Sequence, residues 1–183
     1  MAGLRELPWG KIALFGLAAV LMTSSSTTIP EKWALARNLH PKVQAKFLKL
    51  LQDIEKLGYR VELTSSYRPG QNSYHGFGLA LDLNIIHLAT GQRYGMAVGK
   101  TKKADWEATG VPKLIRASGF RWGGDFVTPW LGLDNKMHAA YDPVHVDLGS
   151  LYDMADLRAA ALSLAGSTAA LATFDRRQVT LAA

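Results

Sequence analysis

The chain has no cysteine among its 183 residues. That excludes disulfides, thiolate nucleophiles, cysteine-ligated iron–sulfur clusters and every cysteine-based zinc finger. Histidine is scarce too: His40, His75, His87, His138 and His145 are the full set. A metal site must therefore be assembled from these five and from carboxylates. Long apolar runs are also missing. The most apolar stretch, Ile12 to Met22 (IALFGLAAVLM), is about half the roughly 20 residues that a membrane-spanning helix needs. It suits the apolar region of a secretory signal, with Arg5 and Lys11 before it. No clean A-x-A cleavage site follows, however, and Glu6 dilutes the basic flank. The stretch therefore reads as an export signal or membrane anchor, or alternatively as a helix docked on a partner or on the domain itself. Residues 1–29 are set apart on this ground. A single domain is expected over 30–165, followed by an Ala/Thr-rich tail over 166–183. No internal repeat is present.

Acidic residues are in deficit, giving a formal net charge of +6 and a pI near 9.6. A basic surface suits a polyanionic partner. No recognition helix and no basic stretch interleaved with aromatics marks nucleic acid, so the anionic bacterial envelope fits better. With 48% hydrophobic and 20% charged residues, the chain can bury a core without disulfides.

The apolar spacing predicts its elements. Val43, Phe47, Leu50, Leu51, Ile54 and Leu57 recur at three- and four-residue intervals, which predicts a helix from Pro41 to Leu57, stopped by Gly58. Tyr59, Val61 and Leu63 alternate with polar residues as in a strand. A second strand is predicted from about Gly78 to Ile86. Leu79, Leu81, Leu83 and Ile85 form its core face, and Ala80, Asp82 and Asn84 its other face. Ala104 to Ser118 is intermittently helical, broken near Gly110 and Pro112. Phe120-Arg121-Trp122 reads as a short strand entering a turn at Gly123-Gly124. Residues 126–142 are irregular. Val144, Val146 and Leu148 form another strand, with His145 and Asp147 on its polar side, and Leu151 to Leu164 a last helix. The expected class is α+β, with a small antiparallel sheet flanked by helices.

The chemistry concentrates in Ser73-Tyr74-His75-Gly76-Phe77-Gly78-Leu79-Ala80-Leu81-Asp82. His75 ends a loop, and Asp82 projects from the polar face of the strand that follows. Asp142-Pro143-Val144-His145 offers a third donor from another strand. Two histidines and one carboxylate, with a fourth position open, form a recurring catalytic zinc arrangement. Taken singly, each residue is better explained as an ordinary hydrogen-bonding group; the spacing of the set favours the metal.

This segment resembles the S-x-H-x-x-G-x-A-x-D signature of the LAS metallopeptidases, through Ser73, His75, Gly78, Ala80 and Asp82. That group comprises D-alanyl-D-alanine carboxypeptidases and dipeptidases, and the L-alanyl-D-glutamate peptidases of phage endolysins. Three further stretches are similar to the family in the same order: Thr64-Ser65-Ser66-Tyr67-Arg68, Gly119-Phe120-Arg121-Trp122-Gly123-Gly124-Asp125 and Asp142-Pro143-Val144-His145. The resemblance implies Zn2+ held by His75, Asp82 and His145, with Asp142 as general base and Arg68 stabilising the oxyanion. It implies hydrolysis of peptide bonds in peptidoglycan stem peptides, by an endopeptidase or carboxypeptidase, in the cell envelope, the periplasm or a phage virion. Two departures stand out. Arg68 is followed closely by Ser73, where many relatives have an insertion. Val146-Asp147 replaces the aromatic and Glu or Gln of the endolysin branch.

Other readings stay open on the residues alone. Arg68 also suits a salt bridge, and Asp142 a turn before Pro143. Asp147 is the second candidate for the proton acceptor. Trp122 and Asp125 either line the cleft or serve the fold, and His138 is either a substrate contact or a surface residue. His40 and His87 are expected to be bystanders. At the level of the whole chain, the alternatives are an inactive zinc-bearing binding module and a structural component of a phage particle or envelope complex, with membrane or virion attachment through residues 1–29. Because the signature lies wholly downstream, a chain starting near Pro30 is expected to keep zinc binding and turnover. A truncated chain that folds and binds zinc yet cleaves nothing would place the N-terminal segment within the enzyme.

Overall fold

The computed structural model describes residues 28–95, 102–131, 137–138 and 140–181, so the Ile12–Met22 run lies outside the described residues. Among the described residues, no helix is long and apolar enough to cross a membrane.

Helix α1 (Pro41–Lys56) starts where His40 accepts a hydrogen bond from the Lys42 amide at Nδ1, with Pro41 at the first helical position. Its apolar stripe buries Val43, Phe47, Leu50, Leu51 and Ile54, packing against strand β1 (Tyr59–Ser65) and helix α3 (Val111–Ala117). Leu57, which the spacing assigns to the same stripe, is the exposed C-cap instead. Ahead of α1, a 3-10 segment (Glu31–Asn38) that the sequence pattern does not mark adds Trp33 and Ala36 to the core.

The main sheet is antiparallel, in the order β1, β2 (Ala80–His87), β7 (His145–Asp147), β4 (Arg121–Trp122), with β3 (Arg93–Tyr94) also pairing to β2. A second pair, β5 (Trp130–Leu131) with β6 (Met137–His138), lies within the stretch expected to be irregular. The α+β class predicted from the pattern is the one observed. Leu79, Leu81, Leu83 and Ile85 are fully buried on the predicted core face. The opposite face is covered as well, for Ala80, Asp82 and Asn84 are also buried. The intermittent helix resolves into α2 (Lys103–Ala108) and α3, separated at Gly110 with Pro112 inside the first turn of α3. Helix α4 (Met154–Ala165) begins at Asp153, whose carboxylate caps the Ala155 and Asp156 amides.

Two pairings position the site. Between β1 and β2 the register slips, Leu63 facing Leu83 but Ser65 facing Asp82. Such a bulge turns the strand end, here the stretch leading to Arg68. Strand β7 then sets His145 directly opposite Asp82.

Residues 166–181 return to the same body. Beyond the short helix α5 (Thr168–Leu171), Val179 and Leu181 join the core. His40 Nε2 donates to the Val179 carbonyl over 3.0 Å, and buried Arg176 donates from Nη1 to Gln71 O over 2.5 Å. Tyr67 donates to Asp175 Oδ1 over 3.0 Å, beneath the Arg177 guanidinium at 4.1 Å from the ring. The segment therefore braces the 67–77 loop. Leu181→Ala should cost about 2 kcal/mol or more, as for a buried leucine. Denaturant unfolding measures it; a loss under about 0.5 kcal/mol, the range of an ordinary surface change, would mean that this end is frayed in solution.

Candidate metal centre

His75 lies in a 3-10 turn (Tyr74–Phe77) that folds back on the sheet. The turn is tight for a definite reason. A Cβ on Gly76 would lie 1.8 Å from the Gln71 carbonyl oxygen, and Gly78 has φ +68° with the His40 amide 2.6 Å from where its Cβ would be. The small residues of the motif thus make room for backbone, and the turn they permit delivers His75.

His75, Asp82 and His145 are all buried. Their inner atoms converge: His75 Nε2 lies 3.1 Å from Asp82 Oδ1 and 3.1 Å from His145 Nδ1, which is 3.2 Å from Asp82 Oδ1. The outer ring nitrogens are committed as donors. His75 Nδ1 donates to the Ser66 carbonyl over 2.5 Å, and His145 Nε2 donates to Asp147 Oδ2 over 2.9 Å. Neutral rings held this way present only lone pairs inward, towards a carboxylate that is also an acceptor. Such a triangle calls for a cation. Its edges approach the roughly 3.3 Å edge of a tetrahedron with bonds of about 2.0 Å, the Zn–N distance. The donor set therefore fits zinc.

The electrostatics agree. Burial alone would raise Asp82, but hydrogen bonds and charge from His145 and His75 outweigh it and hold the carboxylate well below its usual range. Burial disfavours a charged His145, yet the Asp147 and Asp82 carboxylates overcome it and push the ring up to about 9. Without a metal, a proton is the cation that these groups attract.

Around the three donors stand the other predicted residues. Arg68 pairs through Nη2 with Asp82 Oδ2 and donates from Nε to Ser65 Oγ over 2.8 Å. Its salt-bridge role is thus real, and its Nη1 has no hydrogen bond among the described residues. Asp142 is positioned by the backbone, its amide on Gly123 O and its carbonyl on the His145 amide. Its Oδ1 is buried without a hydrogen-bond partner among the described residues. Burial, and the nearby Asp82 charge, push this carboxyl up against the opposing pull of His145.

Asp147 is fully engaged: Oδ1 by Arg121 Nε and the Gly149 amide, Oδ2 by Arg121 Nη2 and His145. That leaves it no free oxygen as proton acceptor. Arg121 is the residue that sequence reasoning missed; its only sign was its place in the strand before Gly123-Gly124. Trp122 is core, bonded to Pro143 O, and Asp125 is a surface partner of Arg116 and Lys103. His40 and His87 stand apart, one capping α1 and the other edge-on to Tyr59.

Residues 67–141 match a family model described as D-alanyl-D-alanine carboxypeptidase, of the M15 peptidases. The resemblance to the LAS-type metallopeptidases is borne out. The match runs from Tyr67 through Arg68, His75, Asp82 and the Gly119–Asp125 stretch and ends at Tyr141, directly before Asp142 and His145. No curated protein matches the chain. In this metallopeptidase-like centre His145 and Asp142 lie beyond the matched residues and are brought to the site by the geometry.

Loading the site with zinc must remove the proton that His145 otherwise keeps up to about pH 9. Apparent zinc affinity should therefore rise about tenfold per pH unit across the neutral range and level off near pH 9. Competition titration with a chelator at several pH values reads the slope, and binding that does not change with pH would place the metal elsewhere.

Proposed function

We propose that the protein hydrolyses peptide bonds in peptidoglycan stem peptides as a zinc peptidase of the cell envelope or of a phage virion. The observation that carries this reading is the triangle of lone pairs on His75, Asp82 and His145, beside a buried Asp142 oxygen without a hydrogen-bond partner among the described residues. The match to a D-alanyl-D-alanine carboxypeptidase model supports the substrate class. The net charge of +6 favours residence on an anionic wall.

In this reading His75, Asp82 and His145 hold the metal. Bound zinc supplies Lewis acidity at the scissile carbonyl and makes water acidic near neutral pH. Asp142 accepts the proton of the attacking water and returns it to the leaving amine nitrogen. A carboxyl raised by burial suits that exchange, because its affinity for the proton lies nearer the working pH. Arg68, fixed by Asp82 and Ser65, directs its remaining donors to the oxyanion that develops on the carbonyl oxygen.

Asp142→Asn keeps the shape and removes the proton acceptor. Turnover of purified cell walls should fall by about 10²–10⁴-fold with zinc content unchanged. His145→Ala should lose the zinc itself. Mass spectrometry of the released muropeptides identifies the bond. Near-full activity of Asp142→Asn at normal zinc content would reduce Asp142 to a turn residue.

A further inference from the structure

His145 differs from His75 in what holds it. His75 is pinned by a backbone carbonyl, which persists whatever the side chains. His145 depends on Asp147, 1% exposed in its side chain, which in turn depends on Arg121. Arg121 is half-exposed but flanked by aromatic rings. Its guanidinium lies 4.8 Å from the Tyr74 ring centre and 5.3 Å from that of Phe126, and Phe126 packs on the His145 ring at 5.5 Å. Below it lies Gly149, where a Cβ would come within 2.3 Å of the guanidinium carbon. The fork meets both carboxylate oxygens, at 2.7 and 2.8 Å, so Asp147 has one orientation.

We propose that Arg121 and Asp147 are positioning residues that lock His145 in its Nε2–H tautomer and so present Nδ1 to the metal. The inference rests on the metal-centre reading above. The Asp147 carboxylate can only accept from Nε2, which places the ring proton on that nitrogen and leaves Nδ1 as the donor atom. Arg121 prevents Asp147 from turning away, and Tyr74 and Phe126 prevent Arg121 from leaving. Gly149 is glycine because the guanidinium occupies the space of a side chain.

The test uses the full chain with zinc and reads affinity by chelator competition, together with the His145 ring proton by NMR. Wild type should show a slowly exchanging Nε2 proton in the zinc form. Asp147→Ala should weaken zinc by about 10–100-fold, the usual loss for a residue supporting a ligand, and should lose that resonance. Since Asp147 is buried, Arg121→Gln and Gly149→Ala serve as the milder probes. Gly149→Ala leaves every charge in place and displaces only the guanidinium, and it should weaken zinc in the same direction with the proton exchanging faster. A merely structural role would lower the melting temperature of these two variants while leaving the tautomer and zinc affinity unchanged. If both bind zinc within about twofold of wild type with the Nε2 proton still protected, the relay is refuted. If instead wild type fails to bind zinc through His75 and His145, the metal centre is wrong, which is a different result.

Discussion

Three lone pairs held about 3 Å apart are an unfavourable arrangement, and the rest of the site follows from that constraint. Left free, His75 and His145 would each turn a ring N–H towards Asp82 and the triangle would become an ordinary hydrogen-bonded cluster. The surrounding groups block that escape. Ser66 O takes the His75 Nδ1 proton, Asp147 takes the His145 Nε2 proton, and Arg68 engages the second oxygen of Asp82. Each inner atom keeps its lone pair because its outer neighbour has already been given a partner. Preorganisation of this kind spends folding stability on affinity for a cation.

The fold supplies the rigidity that such an arrangement needs. Asp82 and His145 stand opposite each other on paired strands, so their separation is set by the sheet. His75 comes from a turn, which a sheet cannot hold, and there helix α4 and the 166–181 segment matter. Arg176 on Gln71 O, Tyr67 on Asp175 and Arg158 on Asn72 O fasten the loop that runs from Arg68 to His75. His40 links the same segment to the start of α1. The long-range contacts that place the turn therefore come from helix α4, from residues 166–181 and from the start of α1, with Tyr74 also donating to Tyr152 O and the His40 amide to Gly78 O.

These two kinds of support were unequally legible in the sequence. The alternation over Leu79–Ile85 showed which way Asp82 points, because a strand has period two whatever its neighbours are. The same rule placed His145 and Asp147 together on the polar side of the last strand. It could not show that β7 lies beside β2 or that Arg121 faces Asp147, since register depends on partners distant in sequence. Nor could it show that the polar face is covered, for Asp82 is buried against Arg68, His75 and His145, which are distant in sequence or lie in irregular turns. The 174–181 segment escaped notice for a similar reason: its work is done by single contacts to carbonyls and rings, and no spacing encodes those.

Asp142 and Asp147 illustrate how environment divides the work between chemically equal groups. Both flank His145 in sequence, and both were candidates for the proton acceptor. Asp147 faces a guanidinium fork, an amide and an imidazole, which pull its carboxyl down to about 2 against the effect of burial. A carboxylate so stabilised holds a proton too weakly to carry it between water and an amine at neutral pH. Asp142 is half-buried, with Oδ1 out of solvent and without a hydrogen-bond partner among the described residues, and is shifted the opposite way. Carboxylates driven apart by their surroundings take different roles. Here the separation supports the proposed roles, with Asp147 orienting His145 and Asp142 moving the proton. The two flank one histidine in sequence, so a single short turn and strand carries both carboxylates and the imidazole between them.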